Sequence, residues 1–186
     1  MKKFLTILVT FFFAFSAQAA EKSWKINPAE SKLEFKATQD KTIITGSFKK
    51  FDGKIIFDKN QLFKSSLNIE IDTSSIAISL SDAAGVIQSP EWLSTKAFPK
   101  ATFISNKISL LVGKNIYRAD GTLTIKGRPM PVSLEFYFND YSENKAQASG
   151  KTIIKRSAFA IGNSDIKKAN GVKEDVEITF LINAEK

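Results

Sequence analysis

Alternation between apolar and polar side chains dominates the chain after its first twenty residues. In segment 33–38, apolar residues stand at every second position with polar residues between them. A period of two is that of a strand with one face in a core and one in water. The pattern recurs and predicts about eight strands, at 33–38, 44–48 continuing to 54–58, 67–72, 101–108, 116–126, 132–138, 146–154 and 176–184.

Two kinds of turn signal separate these strands. Gly46 and Gly53 interrupt the second strand, where glycine indicates a bulge or a bend. Segment 126–129, Lys-Gly-Arg-Pro, predicts a tight hairpin between two long strands, because glycine accepts unusual dihedral angles and proline fixes one.

The alternation fails between residues 72 and 100. Segments 82–87 and 90–93 have the composition of short helical pieces, with Ser89 as a cap before Pro90 at a first helical position. We expect one irregular crossover with a short helix here. The chain contains no linker, repeat or low-complexity tract, so it is expected to form one domain.

The first nineteen residues have the features of a secretory signal peptide. Two lysines precede an apolar run, and Ala17-Gln18-Ala19 resembles a cleavage site. The run of about twelve residues is shorter than the roughly twenty that a membrane anchor needs. We therefore expect residues 1–19 to be removed, residues 20–186 to form the mature domain, and the protein to be exported to the periplasm.

Composition excludes several classes of function. The chain has no Cys and no His, which excludes disulfides, thiol catalysis, zinc fingers and His-based triads. We therefore do not expect a hydrolase or a transition-metal enzyme, and only carboxylate, Lys, Tyr or Ser/Thr chemistry, or no chemistry, is left. Its formal charge of +8 comes from lysines and arginines spread along the chain. A nucleic-acid binder would cluster them in a stripe, so we expect no nucleic-acid partner, and attraction to anionic membrane surfaces is the more natural use of the charge.

Antiparallel strands without a long helix leave a sandwich or a closed barrel. Eleven of the sixteen phenylalanines follow residue 20, and several fall on inward faces. An eight-stranded barrel is just wide enough to be filled by side chains or to hold one small ligand. Two interpretations stay open at this point: the rings fill a solid core, or they line a cavity.

An ordered set of short motifs covers nearly the whole chain after residue 20. They are Trp24-Lys25-Ile26-Asn27-Pro28, Ser31-x-Leu33-x-Phe35, Gly46-Ser47-Phe48-x-x-Phe51-x-Gly53, Ile71-Asp72, Ser89-Pro90-Glu91-Trp92-Leu93, Phe98-Pro99-x-Ala101-x-Phe103-x-Ser105, Tyr117-x-Ala119-x-Gly121-x-Leu123-Thr124-Ile125-Lys126-Gly127, Arg156-Ser157-x-Phe159-x-Ile161-Gly162 and Val176-x-Ile178. Taken together they resemble the YceI-like family, and most closely its branch associated with cytochrome b561.

The resemblance implies a fold and a function. The fold would be an all-β, eight-stranded antiparallel lipocalin-like barrel with a short helical crossover. The function would be to hold a long-chain isoprenoid lipid, polyprenyl or quinone-like, in the barrel, with no catalytic group, cofactor or metal. It leaves open a cytochrome b561-like membrane partner, and a homodimer. The ligand-binding residues would be Phe35, Phe48, Ile71, Trp92, Leu93, Phe98, Phe103, Tyr117, Leu123, Phe136, Phe138, Arg156, Phe159, Ile178 and Phe180.

Two positions depart from the family pattern. Glu30 stands where many members carry a His, and Ala158-Phe159-Ala160 replaces an Asp-Phe-Gly, so a carboxylate and a flexible glycine are lost. Roles at the polar end of the pocket are therefore open. Arg156 either binds a polar head group or pairs with a structural carboxylate.

The crossover motif also has two readings. Trp92 and Leu93 either form a lid over the barrel or plug its core. Tyr117 either hydrogen-bonds a head group or packs in the core.

Overall fold

The computed structural model describes residues 23–80, 83–162 and 171–186. Over these residues one antiparallel sheet contains β1 (Trp24–Ile26), β2 (Lys32–Gln39), β3 (Thr42–Phe48), β4 (Phe51–Ile56), β5 (Ser66–Asp72), β6 (Ile76–Ile78), β7 (Lys100–Leu111), β8 (Ile116–Ile125), β9 (Arg128–Tyr141), β10 (Lys145–Lys155) and β11 (Asp175–Glu185). One α-helix, α1 (Ala84–Gln88), and 3-10 turns at Leu62–Lys64, Thr73–Ser75 and Arg156–Phe159 accompany it. The predicted signal peptide lies outside the described residues.

The eleven segments form eight bent strands, because three strands are interrupted and then continue. β1 continues as β2, β3 as β4, and β5 as β6. The first two pairs keep the same neighbours across the bend, and β6 keeps only the neighbour formed by β3 and β4, since β7 pairs with β5. β11 pairs with β2 along its middle and with β1 near its end. β1 also pairs with β4, which closes the sheet into a ring. The predicted eight-stranded antiparallel barrel is thereby confirmed.

The two ends of the barrel are built differently. One end, here called the aromatic end, is formed by loops 57–65, 112–115 and 142–144 together with β1. The other, here called the crossover end, is formed by the hairpins 40–41 and 126–127 and by the described residues 79–80, 83–99, 156–162 and 171–174. In the described part of the chain, no helix is long and apolar enough to span a bilayer.

Inward rings lie along the barrel wall because glycines on neighbouring strands make room for them. A Cβ atom on Gly46 would overlap the Phe35 ring, and one on Gly150 would overlap the Phe180 ring. Gly150 is the register partner of Phe180 on β11, so the ring covers its own cross-strand neighbour. Rings that lie flat on the wall leave the centre of the barrel free, which rings pointing across it would not.

Packing is tighter on one side of the barrel than on the other. Along β8, inward residues such as Tyr117, Ala119 and Leu123 are fully buried. Along β11, which also carries inward apolar residues, every interior position is only partly buried. Side chains that face inward but keep accessible surface mark unfilled space inside a closed sheet.

Several local predictions hold and others are corrected. The hairpin between β8 and β9 has the predicted tight turn, with Lys126 and Gly127 both at positive φ. The bend in the second strand falls between β3 and β4 rather than at Gly46 or Gly53. Those two glycines instead provide close approach for neighbouring side chains.

The crossover is less helical than predicted. Segment 90–93 forms turns and not a helix, and Ser89 follows α1 as its C-terminal cap instead of preceding a helix. The backbone N–H groups of Trp92 and Ser94 both donate to the Ser89 carbonyl, which makes a compact turn that cannot propagate as a helix. Two short strands of the barrel, β1 and β6, had not been predicted because three residues carry too little alternation to be recognised.

Close packing at Gly150 gives a testable prediction. An alanine there would overlap the Phe180 ring and the Glu135 carbonyl. We expect Gly150→Ala to lower the free energy of unfolding by about 1–3 kcal/mol, measured by urea denaturation. Gly85 in α1 is the matched control, since a Cβ there would contact nothing. Gly85→Ala should be neutral or stabilising by up to about 1 kcal/mol. Equal unfolding midpoints for the two variants would contradict this account of the wall.

Candidate functional site

An apolar cavity of about 160 Å³ lies inside the barrel. Nearly every strand contributes to its wall, and hydroxyl groups enter the lining only through Thr152 and Tyr141. The lining residues are Trp24, Leu33, Phe51, Ile55, Phe57, Leu67, Ile69, Ile71, Phe103, Leu123, Leu134, Phe136, Phe138, Tyr141, Ala146, Ala148, Thr152, Ile178, Phe180, Ile182 and Ala184. A cavity of this composition favours hydrocarbon over any charged or strongly polar group.

A cluster of touching rings closes the cavity toward the aromatic end. The Phe57 centroid lies 5.3 Å from that of Tyr117, 5.0 Å from that of Phe138 and 6.0 Å from that of Tyr141. Most of these pairs meet edge to face or tilted, the arrangement that aromatic quadrupoles favour. The rings therefore pack against one another at this end and line open space further in, so both interpretations of the phenylalanines apply to different parts of the barrel.

Two ammonium groups cover this ring cluster from outside. Lys59 Nζ lies 3.9 Å from the Tyr141 ring centroid and 4.9 Å from that of Phe138. Trp24 extends the cluster, because its centroid lies 5.5 Å from that of Tyr141, and Lys186 Nζ lies 4.4 Å from the centroid of Trp24. Cation–π contacts of this kind hold positive charge at the boundary between an apolar interior and water.

The tyrosine hydroxyls of the cluster stay protonated at neutral pH. Burial raises the pKa of Tyr117 above its usual value. Burial also raises the pKa of Tyr141, and the nearby carboxylate of Asp58 adds to the effect. Both groups can therefore act as hydrogen-bond donors at this end of the barrel.

The structure brings seven of the predicted site residues into the cavity wall. They come from five strands and share an inward orientation; they are Ile71, Phe103, Leu123, Phe136, Phe138, Ile178 and Phe180.

The other eight lie outside the lining. Phe35 and Phe48 pack against each other, with centroids 5.9 Å apart. Tyr117 belongs to the ring cluster, and Leu93 and Phe159 are buried in the core.

The remaining predicted residues lie at the crossover end. Trp92 packs against the core, and its ring lies beside Gly162. Phe98 is partly exposed, and its ring lies over the hairpin glycine Gly127. The crossover residues therefore close this end of the barrel as a plug, with Leu93 inside it.

Arg156 is buried at the crossover end, with 1% of its surface exposed. Its Nη1 donates to the Ile161 carbonyl at 2.9 Å, and its Nη2 donates to the Val172 carbonyl at 3.0 Å. Nη2 also lies 3.0 Å from Glu174 Oε1. The guanidinium thus joins the residues that follow β10 to those that precede β11. Of the two predicted roles, the structure favours pairing with a structural carboxylate. It does not line the cavity.

Lys126 closes the same end, a role that its place in a hairpin turn did not suggest. Its Nζ donates to the carbonyls of Ala160 at 2.8 Å and Pro90 at 3.0 Å. Burial lowers the pKa of this amine, with Glu91 acting in the opposite direction. One side chain therefore joins the hairpin, the crossover and the turn after β10.

Ala160 stands where the family pattern has a glycine, and its backbone adopts a conformation that favours glycine. This residue has φ of 52° in the left-handed region and caps the 3-10 turn Arg156–Phe159. Left-handed backbone brings Cβ too close to the neighbouring carbonyl and costs about 1–2 kcal/mol for a residue other than glycine.

The alternation of inward and outward positions along each strand could have identified most lining residues that the predicted site lacks. Leu33 shares a face with Phe35, and Leu134 shares one with Phe136. Ala146 and Ala148 are small inward residues that enlarge the cavity, a feature that hydrophobic alternation does not distinguish from filling. Phe57 falls within the predicted strand 54–58, but none of the family motifs contains it, and in the structure it follows the end of β4.

These features define a class of protein: a closed eight-stranded antiparallel barrel with an apolar interior cavity, a ring cluster at one end and a hydrogen-bonded plug at the other. A family model described as the YceI-like domain matches residues 24–184. The chain belongs to the YceI-like family.

Individual relatives agree with this assignment. A UPF0312 protein of Vibrio campbellii is 27% identical over 153 residues, covering 79% of this chain and 80% of that protein. Protein YceI of Salmonella arizonae is 34% identical over 92 residues, covering 48% of this chain and 46% of that protein.

Solved structures share the fold. Burkholderia cenocepacia BcnA superposes with a TM-score of 0.78 at 29% identity, covering 85% of this chain and 98% of that one. A polyisoprenoid binding domain from Saccharophagus degradans, implicated in plant cell wall breakdown, superposes with a TM-score of 0.69 at 16% identity, covering 87% and 97%. At that identity the second likeness concerns the fold alone.

The role of Arg156 can be tested by separating stability from binding. Arg156→Gln would leave buried carbonyls and the Glu174 carboxylate without their partner, so we expect a loss of about 3 kcal/mol or more in the free energy of unfolding. Arg118 is the control, because its ion pair with Asp120 is partly exposed and Arg118→Gln should change stability by about 1 kcal/mol or less. An Arg156→Gln protein as stable as the wild type would contradict this structural role.

The strain at Ala160 predicts a substitution that raises the free energy of unfolding instead of lowering it. Ala160→Gly removes the left-handed penalty but raises the entropy of the unfolded chain, so we expect a net gain of up to about 1 kcal/mol. Ala158→Gly, in the same 3-10 turn but without positive φ, should lower stability. Thermal unfolding of both variants measures the difference. A lower melting temperature for Ala160→Gly would show that this residue is not strained.

Proposed function

We propose that this protein holds the hydrocarbon tail of a long-chain isoprenoid lipid, polyprenyl or quinone-like, inside its barrel and carries it through water. The observation that supports this best is the closed barrel with an interior wall that is almost entirely apolar. A relative with the same fold is described as a polyisoprenoid binding domain. Such a task needs a preformed apolar space and no catalytic group.

The energetics agree with a tail of moderate length. Burying a methylene group contributes about 0.8 kcal/mol, so about ten carbons supply about 8 kcal/mol before the costs of association. Micromolar affinity corresponds to about −8 kcal/mol, so it needs a longer tail or low association costs. A barrel whose cavity exists before binding reduces those costs, because few side chains need to be ordered.

The construction of the two ends supports one orientation of the ligand. The crossover end is closed by hydrogen bonds of Arg156 and Lys126 to backbone carbonyls. The aromatic end is covered by Lys59 and Lys186, whose ammonium groups lie over rings. A tail inserted into the cavity with its polar or anionic head at the aromatic end would meet positive charge there and leave the plug undisturbed.

Export to the periplasm is part of this proposal, since a lipid carrier is needed where a tail must cross an aqueous compartment. The signal-peptide features of residues 1–19 support it. A cytochrome b561-type membrane partner and a homodimer stay predictions of the family resemblance.

Native mass spectrometry of the protein purified from its own cell envelope, followed by organic extraction, tests the proposal directly. We expect a mass increment that is lost on extraction and that corresponds to one long-chain lipid per barrel. Protein from the envelope that carries no lipid, and that takes up no polyprenyl lipid or quinone when these are added, would contradict it.

A cavity-filling variant shows where the lipid lies. Ala148 lines the cavity between Phe138 and Ile182, its register partners on the adjacent strands. Ala148→Phe would place a ring in the cavity without burying a charge, so we expect lipid stoichiometry to fall several-fold while the barrel stays folded. Denaturation curves check the fold, since overpacking costs typically about 1–3 kcal/mol.

Ile153 on the same strand supplies the matched control. It faces outward and is exposed, so Ile153→Phe adds a similar ring to the outer surface. We expect this variant to retain lipid like the wild type. If folded Ala148→Phe protein also retained the same lipid at equal stoichiometry, the cavity would not be the binding site.

A further inference from the structure

Two apolar side chains at the aromatic end are almost completely in water. Val112 is 98% exposed and Phe63 is 82% exposed, more than any other large hydrophobic residue in the described part of the chain. Both lie in short connections rather than on the barrel wall: Phe63 in the 3-10 turn Leu62–Lys64, and Val112 directly after β7. An exposed aromatic ring at a loop tip contributes nothing to the core, so packing does not explain it.

The two residues lie on the same side of the barrel. The 3-10 turn Leu62–Lys64 contacts β7, and Val112 follows the last residue of that strand. Leu110, near the end of β7, is partly exposed and is the register partner of Tyr117 in the ring cluster. Phe63, Leu110 and Val112 therefore form an apolar rim beside the ring cluster, here called the loop rim.

The segments that carry the loop rim are rich in lysine. Segments 57–65 and 107–115 carry four lysines, and their single acidic residue is Asp58. Lys64 Nζ lies 5.6 Å from the Phe63 ring centroid. The lysines are Lys59, Lys64, Lys107 and Lys114. The acidic residues Asp140, Glu143 and Glu185 belong to other segments of this end, near β9, β10 and β11.

Exposed apolar tips on lysine-rich segments match the interface of an anionic bilayer. Apolar side chains gain by entering the boundary between head groups and acyl chains, while lysines gain by lying near anionic head groups. Each contribution alone is weak, and stable attachment to a membrane surface takes both.

We propose that the loop rim docks this barrel on the surface of a bilayer that contains anionic phospholipid, with Phe63 and Val112 entering the head-group region. The proposal goes beyond lipid binding in the cavity, because it states which end of the barrel meets the membrane. The connection that carries Phe63 begins at Phe57, whose ring closes the cavity at this end. Docking therefore brings the ring cluster next to the source of a lipid tail.

The test is flotation with vesicles of phosphatidylcholine, with and without phosphatidylglycerol. We expect the wild type to float with the phosphatidylglycerol vesicles, to float weakly with phosphatidylcholine alone, and to be released by high salt. The protein is produced from its full coding sequence, and the N-terminus of each preparation is established by intact mass. Only preparations with the same N-terminus are compared, because the apolar run at the start of the chain would itself enter lipid.

Two double variants separate the apolar contribution to vesicle binding from the electrostatic one. Phe63→Ser with Val112→Ser should reduce vesicle binding about tenfold or more, and Lys64→Gln with Lys114→Gln should remove the preference for phosphatidylglycerol. Ile43→Ser with Ile153→Ser is the matched control, since both isoleucines are exposed elsewhere on the barrel, and it should bind like the wild type. All of these side chains are largely in water, so denaturation midpoints should change little.

Three outcomes would overturn the proposal: no binding of the wild type to anionic vesicles, equal binding by the Phe63 and Val112 variant, or binding to an acidic protein without binding to vesicles. Lipid retention is measured on the same preparations. A variant that no longer floats but still carries lipid separates docking from the cavity, so failure of one proposal does not imply failure of the other.

Discussion

Closure of the sheet is the constraint on which the rest of this structure depends. The short strand β1 pairs with β4 on one side and with the end of β11 on the other, and those few hydrogen bonds turn an open sheet into a ring. A closed sheet satisfies its backbone groups without needing a filled interior beneath every strand. Rings that lie flat on Gly46 and Gly150 then leave space at the centre. The cavity is a consequence of both features, since neither alone would produce it.

The sequence predicted the fold closely because each strand has a strong period of two. Strands such as β8 and β11 carry eight or more alternating positions, so their faces and approximate bounds could be assigned. β1 and β6 have three residues each, and only tertiary pairing makes them strands. The sequence predicts a helix at 90–93 because Pro90 satisfies a local rule, whereas the structure forms a turn there with two backbone hydrogen bonds to the Ser89 carbonyl.

The candidate site could be predicted only in part, because alternation shows which way a residue faces and not what its side chain contacts. Alternation identifies inward residues such as Phe136 and Phe180, but it does not show whether an inward ring meets another ring or open space. Phe159 and Phe180 look alike in the sequence, yet one is buried in the core and the other lines the cavity. Arg156 is comparable: its motif is the same whether the guanidinium meets a ligand or backbone carbonyls, and only the positions of Val172 and Ile161 distinguish the two.

The two ends of the barrel are held by forces of different kinds. Hydrogen bonds from Arg156 and Lys126 to backbone carbonyls have preferred directions and lengths, so the segments that they join at the crossover end resist moving relative to one another. Contacts among Phe57, Phe138 and Tyr141 are dispersion contacts with a weak preference for tilted and edge-to-face geometry, so they constrain the rings less than hydrogen bonds would. On the proposed function, a lipid tail would enter by rotation of these side chains about their own bonds, with every strand pair intact. Exchange of cargo would then proceed on the timescale of rotamer changes and would not require the sheet to separate.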